Sequence, residues 1–167
     1  PVPHNHSRAK LEAMPQARFD KCLFLDCDTL VLGDLGDVWV LLDRFDLAMA
    51  HDVRRASDLV QEGLDVTTPY AFPQLNSGVL LYRNTSQTRT FFADWAQKFH
   101  DSGVGRDQII LKDMLWKTDL RFDVLPPEFN LRRVTERDAG EPLDARVNII
   151  HSHRLLQHMR HPGAEQV

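Results

Sequence analysis

The chain has 167 residues, 43% of them hydrophobic and 26% charged, with a net charge of -4 and a pI near 6.0, enough to bury one core in a single domain over 1–167. Its 20 basic and 24 acidic residues are interspersed, and without a basic block to follow a phosphate backbone a nucleic-acid partner is not expected. No apolar run approaches the roughly 18 residues of a membrane span, and Pro1-Val2-Pro3-His4 lacks the charged-then-apolar order of a signal peptide, so the chain reads as soluble.

The apolar run Cys22-Leu23-Phe24-Leu25 predicts a strand buried on both faces of a sheet and stopped by Asp26-Cys27-Asp28. Asp34 then caps a short helix through Val38, Trp39, Leu41 and Leu42, and Asp46-Leu47-Ala48-Met49-Ala50 is a second strand. Gly78-Val79-Leu80-Leu81-Tyr82 is a third. After Asn84-Thr85-Ser86, Phe91, Phe92, Trp95, Ala96 and Phe99 recur at helical spacing, and the helix ends near Gly103. A second amphipathic helix runs from Asp107 through Trp116, a strand from Phe122 to Leu125 is stopped by Pro126-Pro127, and Val147-Asn148-Ile149-Ile150 supplies a last strand ending at His151. This alternation predicts an α/β fold with a mixed, mostly parallel central sheet flanked by helices, and ligands at the carboxyl ends of its strands. Trp39, Trp95 and Trp116 fall on apolar stripes and read as core.

Cys22 and Cys27 lie too close on one extended segment for a mutual disulfide. They point to a reducing compartment and a cytoplasmic chain, with the Golgi or another lumen as the eukaryotic alternative; the sequons Asn5-His6-Ser7 and Asn84-Thr85-Ser86 are short patterns of little weight.

Asp26 and Asp28 are two residues apart where a strand stops, so their carboxylates can converge on a hard divalent cation while Cys27 points elsewhere. Mg²⁺ or Mn²⁺ held by a few protein oxygens keeps positions open for diphosphate oxygens. A solvated turn carrying two acids is the bland alternative, because Asp-x-Asp alone is a weak pattern. Asn76-Ser77-Gly78 reads locally as a turn before a strand, and Asp107 as an acid balancing a helix macrodipole. His51 and Asp52, after the second strand, are further candidate pocket residues.

Phe24-Leu25-Asp26-Cys27-Asp28-Thr29-Leu30, Leu75-Asn76-Ser77-Gly78-Val79, Asp107-Gln108 and Ile149-Ile150-His151, in that order, resemble the retaining glycosyltransferases of the glycogenin and lipopolysaccharide-galactosyltransferase type, over roughly positions 18 to 155. The resemblance implies a nucleotide-diphospho-sugar transferase (GT-A) fold and a metal-dependent transfer of a hexose, with Mn²⁺ or Mg²⁺ as cofactor. The donor implied is a nucleotide-diphosphate sugar, a UDP-sugar, and the acceptor a glycan, lipid-linked or protein hydroxyl. It implies Asp26, Asp28 and His151 as metal ligands, Asn76, Ser77 and Gly78 beside the sugars together with Asp26, and Gln108 and Asp107 as the catalytic pair, Gln108 facing the donor sugar and Asp107 orienting the acceptor. His153, two residues on, would share the face of His151 on a strand and competes for the ligand role. Phe129-Asn130 resembles a family segment behind the active site, where a structural role is as good a reading.

Two departures accompany the resemblance. Only about twenty-five residues precede Asp26, so the nucleoside-binding part has no evident counterpart and the chain is expected to hold the larger C-terminal part of the fold; Leu11, Met14 and Phe19 fit the helix that leads into the metal-binding strand. The family's continuation after the late histidine, with its glycine and lysine, is replaced by Ser152-His153-Arg154, and Arg154 can answer the diphosphate charge instead. The rivals are a non-catalytic remnant of the same fold and a phosphatase of the haloacid dehalogenase type, whose motif continues with a glycine after the second acid where this chain has Thr29. A calcium loop fails at Leu30 and Val31, where an oxygen ligand and a glycine belong.

Overall fold

In the computed structural model, residues 6–53, 63–72, 74–132 and 146–156 are described. Helix α1 (His6–Ala13) runs through a 3₁₀ turn at Met14–Gln16 toward β1 (Lys21–Leu25). There follow β2 (Thr29–Val31), α2 (Val38–Leu41), β3 (Leu47–His51), β4 (Leu75–Arg83), α3 (Ser86–Ser102), α4 (Asp107–Lys117), β5 (Phe122–Leu125) and β6 (Ile149–His151), with 3₁₀ turns at Pro127–Phe129 and His153–Leu156.

The main sheet has the order β1-β4-β3-β5. β4 is antiparallel to both its neighbours and β3 is parallel to β5, so β1, β3 and β5 all point one way and the sheet is mixed. Leu25 lies opposite Val79, and His51 opposite Leu75. The exits of β1 and β3 and the entry of β4 therefore meet at one end, where the sequence places its chemistry. β2 and β6 form a separate antiparallel ribbon in which Thr29 faces His151.

Alternation along the strands sorts side chains between two apolar layers. Leu47, Met49, Leu80 and Tyr82 face Leu11, Met14, Phe92, Trp95, Ile110 and Leu111 of the helices. Ala48, Ala50, Val79 and Leu81 face Val38, Leu42, Leu125 and Ile149. Phe92 and Trp95 are fully enclosed, and truncating either to Ala costs about 3–5 kcal/mol.

Helix α3 begins with a capping box, Thr88 N–H donating to Thr85 Oγ1 at 3.2 Å and Thr85 N–H to Thr88 Oγ1 at 2.9 Å, and it ends at Gly103 with φ 65°. In the Asn84 sequon the amide is already engaged: Nδ2 donates to Ala17 O at 2.7 Å, and Oδ1 accepts from Arg89 at 3.1 Å.

Several expectations are corrected. β1 is half-buried along its length, because it is an edge strand with β4 as its partner. Asp34 does not cap a helix: its Oδ1 accepts from Gly36 N–H at 2.8 Å in a turn, and α2 starts after Asp37, which makes no side-chain cap bond. β4 starts at Leu75, so Asn76-Ser77-Gly78 belongs to the strand. In α4 every residue from Ile109 to Leu115 is buried, Lys112 and Asp113 included, so it is a packed interior helix without a polar stripe. Lys112 Nζ bonds Thr68 Oγ1 and Asp113 Oδ2 accepts from the N–H groups of Leu64 and Asp65 at 2.7 and 2.8 Å, fixing the segment before β4. Trp116 is 45% exposed and stacks edge-on against Phe72 because it sits in the last turn, beyond the packed stretch. Both cysteines are free. No described helix is long and apolar enough to cross a membrane.

Candidate metal centre and substrate cleft

The backbone N–H of Asp26 donates to Gly78 O at 2.8 Å, and Thr29 N–H and Oγ1 donate to Asp26 O at 3.2 and 2.8 Å. The chain therefore folds back in a tight turn in which Cys27 is exposed and Asp28 buried. Ladder pairing of β2 with β6 sets His151 opposite Thr29, and Ser152 N–H donates to Asp28 O at 2.8 Å. Residues more than a hundred positions apart in sequence are thus fixed by backbone register.

Asp26, Asp28 and His151 each offer a ligand atom, all within 4.8 Å of one another. His151 Nε2 lies 3.1 Å from Asp28 Oδ1 and 3.7 Å from Asp26 Oδ2. Adjacent donors around an octahedral Mn²⁺ or Mg²⁺ stand about 3 Å apart, so a small inward movement closes this set on such an ion. On the other side of the ring, His151 Nδ1 lies 2.8 Å from Asn130 Oδ1. A carbonyl oxygen only accepts, so Nδ1 carries the proton and the Nε2 lone pair faces the two carboxylates.

The electrostatics of the corner suit a cation site. Burial, then the nearby Arg132 charge, hold His151 below the ordinary histidine value and outweigh the two carboxylates. Burial raises Asp26 above the ordinary carboxylate range, against the opposing pull of Lys10 and His151. Asp28 Oδ2 is enclosed without a hydrogen bond. His153 Nδ1 stands 2.7 Å from it, but in a direction that makes an ion-pair contact and no hydrogen bond, and the His153 side chain is 80% exposed. The buried oxygen is left short of a hydrogen-bond partner, which suits a carboxylate that would ligate a cation.

Gly78 makes room for this corner. A methyl group on it would run into the His151 ring and stand 2.7 Å from Asp26 Oδ2, so the requirement here is for space rather than backbone conformation.

Beside the metal corner stands the wall formed by α4. Asp107 Oδ2 is 2.9 Å from Lys10 Nζ, with both side chains more than 90% buried, and accepts from Ser77 Oγ at 3.4 Å. Lys10 also donates to Ser77 Oγ at 2.6 Å and lies 5.9 Å from the Trp95 ring centroid, while Trp95 Nε1 donates to Asp107 O at 3.0 Å. Asn76 Nδ2 donates to Asp52 Oδ2 at 3.0 Å and its Oδ1 accepts from Gly78 N–H at 2.9 Å. Gln74 Nε2 donates to Gln108 Oε1 at 3.3 Å.

A cleft of about 560 Å³ opens between these groups, lined among others by Asp52, Gln74, Asp107, Gln108 and His151 and by Arg106, Arg132 and Arg154. The residues expected to meet ligand thus separate. Asp107, Gln108 and His151 reach the cleft, whereas Asn76 and Ser77 are buried behind it, bonded to Asp52, Lys10 and Asp107. Asp52 lines the cleft, and His51 faces a neighbouring apolar hollow with Tyr70, Phe72 and Phe122.

The sequence matches the nucleotide-diphospho-sugar transferase family over residues 20–152. The chain belongs to that family. Among solved structures it is similar to the galactosyltransferase LgtC in complex with donor and acceptor sugar analogs, at 22% identity and TM-score 0.64, covering 92% of this chain and 61% of that one. It is similar to the glycosyltransferase GlyE of Streptococcus pneumoniae TIGR4, at 30% identity and TM-score 0.53, covering 86% of this chain and 36% of that one. Mouse xyloside xylosyltransferase 1 aligns at 18% identity and TM-score 0.52, covering 88% and 62%. None of the curated proteins matches significantly. The chain thus spans between a third and two thirds of the length of these structures, and the fold is that of the transferase family rather than of the phosphatase rival.

Within this member of the transferase family, Lys10 and Gln74 were not singled out from sequence. Lys10 had left a signal: it stands beside the buried Leu11 near the end of α1, just before the buried Met14, where a lysine needs a partner. Gln74 had none, because its partner Gln108 is 34 residues away.

Proposed function

We propose that the chain transfers a hexose from a nucleotide-diphosphate sugar, a uridine one, to an acceptor hydroxyl on a glycan, a lipid-linked sugar or a protein, with retention at the anomeric carbon. The observation that carries this reading is the convergence of Asp26, Asp28 and the Nε2 lone pair of His151 at the edge of a cleft whose other wall bears Asp107 and Gln108. Bound Mn²⁺ or Mg²⁺ supplies neutralisation of the charge that grows on a departing diphosphate.

The chain's own residues do the rest. Asp26 and Asp28 offer carboxylate oxygens, and Asn130 holds His151 in the tautomer that presents Nε2. Arg154 and Arg132, on the same wall as His151, are placed to meet diphosphate oxygens. Gln108, steadied by Gln74, turns its amide toward the sugar and supports the positive charge that develops at the anomeric centre. One of the matched LgtC structures carries an active-site Gln→Glu change, the residue type Gln108 brings to this cleft. Asp107, held by Lys10, and Asp52, held by Asn76, orient sugar hydroxyls. Ser77 and Gly78 act through these groups, Ser77 by bridging Lys10 and Asp107 and Gly78 by leaving space for His151. The acceptor attacks on the face that the diphosphate leaves, so its hydroxyl proton passes to the departing phosphate oxygen as the new glycosidic bond forms, and no strongly basic residue is required.

Calorimetric titration with uridine diphosphate, with and without Mn²⁺, tests the reading. Binding should require Mn²⁺ and vanish in Asp28→Ala, which stays folded. Unchanged binding in that variant would sink the metal assignment, and no binding by the folded wild-type chain would favour a non-catalytic remnant of the fold.

A further inference from the structure

The charges lining the cleft are unevenly committed. Of its carboxylates, Asp107 is paired with Lys10 and Asp52 is bonded by Asn76. The guanidinium groups of Arg106, Arg132 and Arg154 line the same cleft and have no ion-pair or hydrogen-bond partner among the described residues. With the Asp107 charge balanced by Lys10, three unpaired arginines stand against the Asp52 carboxylate, and the lining presents a net positive surface to whatever enters.

The three arginines stand in two places. Arg132 and Arg154 lie on the wall of His151: Leu131 is bridged to Ile150, with His151 N–H donating to Leu131 O at 3.0 Å, and Arg154 follows three residues after His151. This pair flanks the metal corner, where a diphosphate belongs. Arg106 stands on the other wall, immediately before Asp107 and two residues before Gln108, the groups assigned to the sugars. It is exposed and contributes no side-chain bond to the start of α4. The adjoining Gly105, also in the cleft lining, has no atom of the described residues within 4 Å of where a Cβ would stand, so none of them crowds the turn before Arg106.

A diphosphate met by a cation and by Arg132 and Arg154 leaves the Arg106 charge unanswered. We propose that Arg106 reads a negative charge, a carboxylate or a phosphate carried on one of the two sugar substrates, and that the enzyme thereby selects an anionic sugar. Bidentate pairing of a planar guanidinium with such a group gives both attraction and orientation. The proposal rests on the donor-site reading above, which fixes the side on which the diphosphate lies.

Two calorimetric arms separate the possible carriers of the charge. In the donor arm, UDP-glucose is compared with UDP-glucuronate in the presence of Mn²⁺. In the acceptor arm, glucose is compared with glucuronate and glucose 6-phosphate, and galactose with galacturonate, on the chain loaded with uridine diphosphate and Mn²⁺. The charged partner in one arm should bind about tenfold more tightly. Arg106→Gln should abolish the preference while Arg106→Lys keeps most of it, and both variants should bind uridine diphosphate as the wild type does. No preference in either arm, or a preference that survives Arg106→Gln, overturns the proposal. So does weakened uridine diphosphate binding in Arg106→Gln, which would place Arg106 on the diphosphate. Failure of the wild type to bind uridine diphosphate with Mn²⁺ refutes the donor site instead, and the acceptor arm repeated on the unloaded chain then still decides the role of Arg106.

Discussion

The metal corner and the α4 wall face one cleft but are built by different means. In the corner, each group is placed by backbone: Asp26 by its bond to Gly78 O, Asp28 by the turn closed at Thr29, His151 by the β2–β6 ladder. In the wall, Asp107 is held by side chains drawn from α1, β4 and α3, namely Lys10, Ser77 and Trp95. A corner of this kind keeps its backbone frame when a surrounding side chain changes but does not accept added volume. A wall of this kind fails when one member loses its charge.

The largest effect therefore belongs to the wall. Lys10→Met keeps the apolar stem and removes the ammonium, leaving Asp107 buried with only the 3.4 Å bond from Ser77. Breaking one side of a buried ion pair costs about 3–5 kcal/mol, whereas removing both charges restores much of the loss. Urea melts should show Lys10→Met strongly destabilised and Lys10→Met with Asp107→Asn closer to wild type. A single-variant loss below about 1 kcal/mol would mean that the pair is dispensable.

In the corner, Gly78→Ala should cost about 1–3 kcal/mol of stability through overpacking and, by pushing the His151 ring from Asp26, remove measurable Mn²⁺ binding. Gly103→Ala is not a fair control because of its φ of 65°, but Gly105→Ala, where a Cβ meets nothing, should leave stability and binding unchanged. Mn²⁺ titration of the three proteins sharpens the distinction between crowding and a general glycine effect.

The same contrast explains what could be read from sequence. Asp26 and Asp28 were legible because one apolar run ends in two acids, a local pattern. The α3 boundaries were legible because Thr85 and Gly103 act locally as cap and stop. β2 was not, since its three residues Thr29–Val31 carry no periodicity and exist as a strand only by pairing with β6. Without β2, the reason His151 rather than His153 turns inward was also out of reach: the ladder ends at His151 and the chain enters a 3₁₀ turn at His153. Asn76 was legible as a polar member of its motif, but its function as the anchor of Asp52 depends on the pairing of β3 with β4.

A smaller effect is expected at Asn130, whose side-chain oxygen bonds His151 Nδ1. Loss of a group that fixes a ligand's tautomer usually costs about 10–100-fold in metal affinity. Asn130→Ala should weaken Mn²⁺ by that factor with a modest change in melting temperature, and Asn130→Asp, which keeps an acceptor at Nδ1, should recover most of it. Equal affinities in all three would make Asn130 a packing residue only.

The smallest effect is the pH dependence of the metal-free chain, and its sign follows from two opposed shifts. Burial holds His151 below its ordinary value of 6.5. As pH falls through 6.5, the unfolded chain takes up a proton that the folded site still refuses, so stability declines, by no more than about 1.4 kcal/mol per pH unit. Asp26 works the other way at more acid pH. Its raised value makes the folded chain the better proton acceptor between that value and 3.8, which offsets part of the decline. Melting temperatures in the presence of a chelator should thus be level above neutrality and fall as the pH drops below about 6.5, with the fall flattened in His151→Asn. Protonation of Nε2 also competes with the cation, so the stabilisation gained on adding Mn²⁺ should shrink over the same interval. A decline that persists undiminished in His151→Asn would assign the titration to another histidine and remove the buried neutral imidazole from the account of the corner.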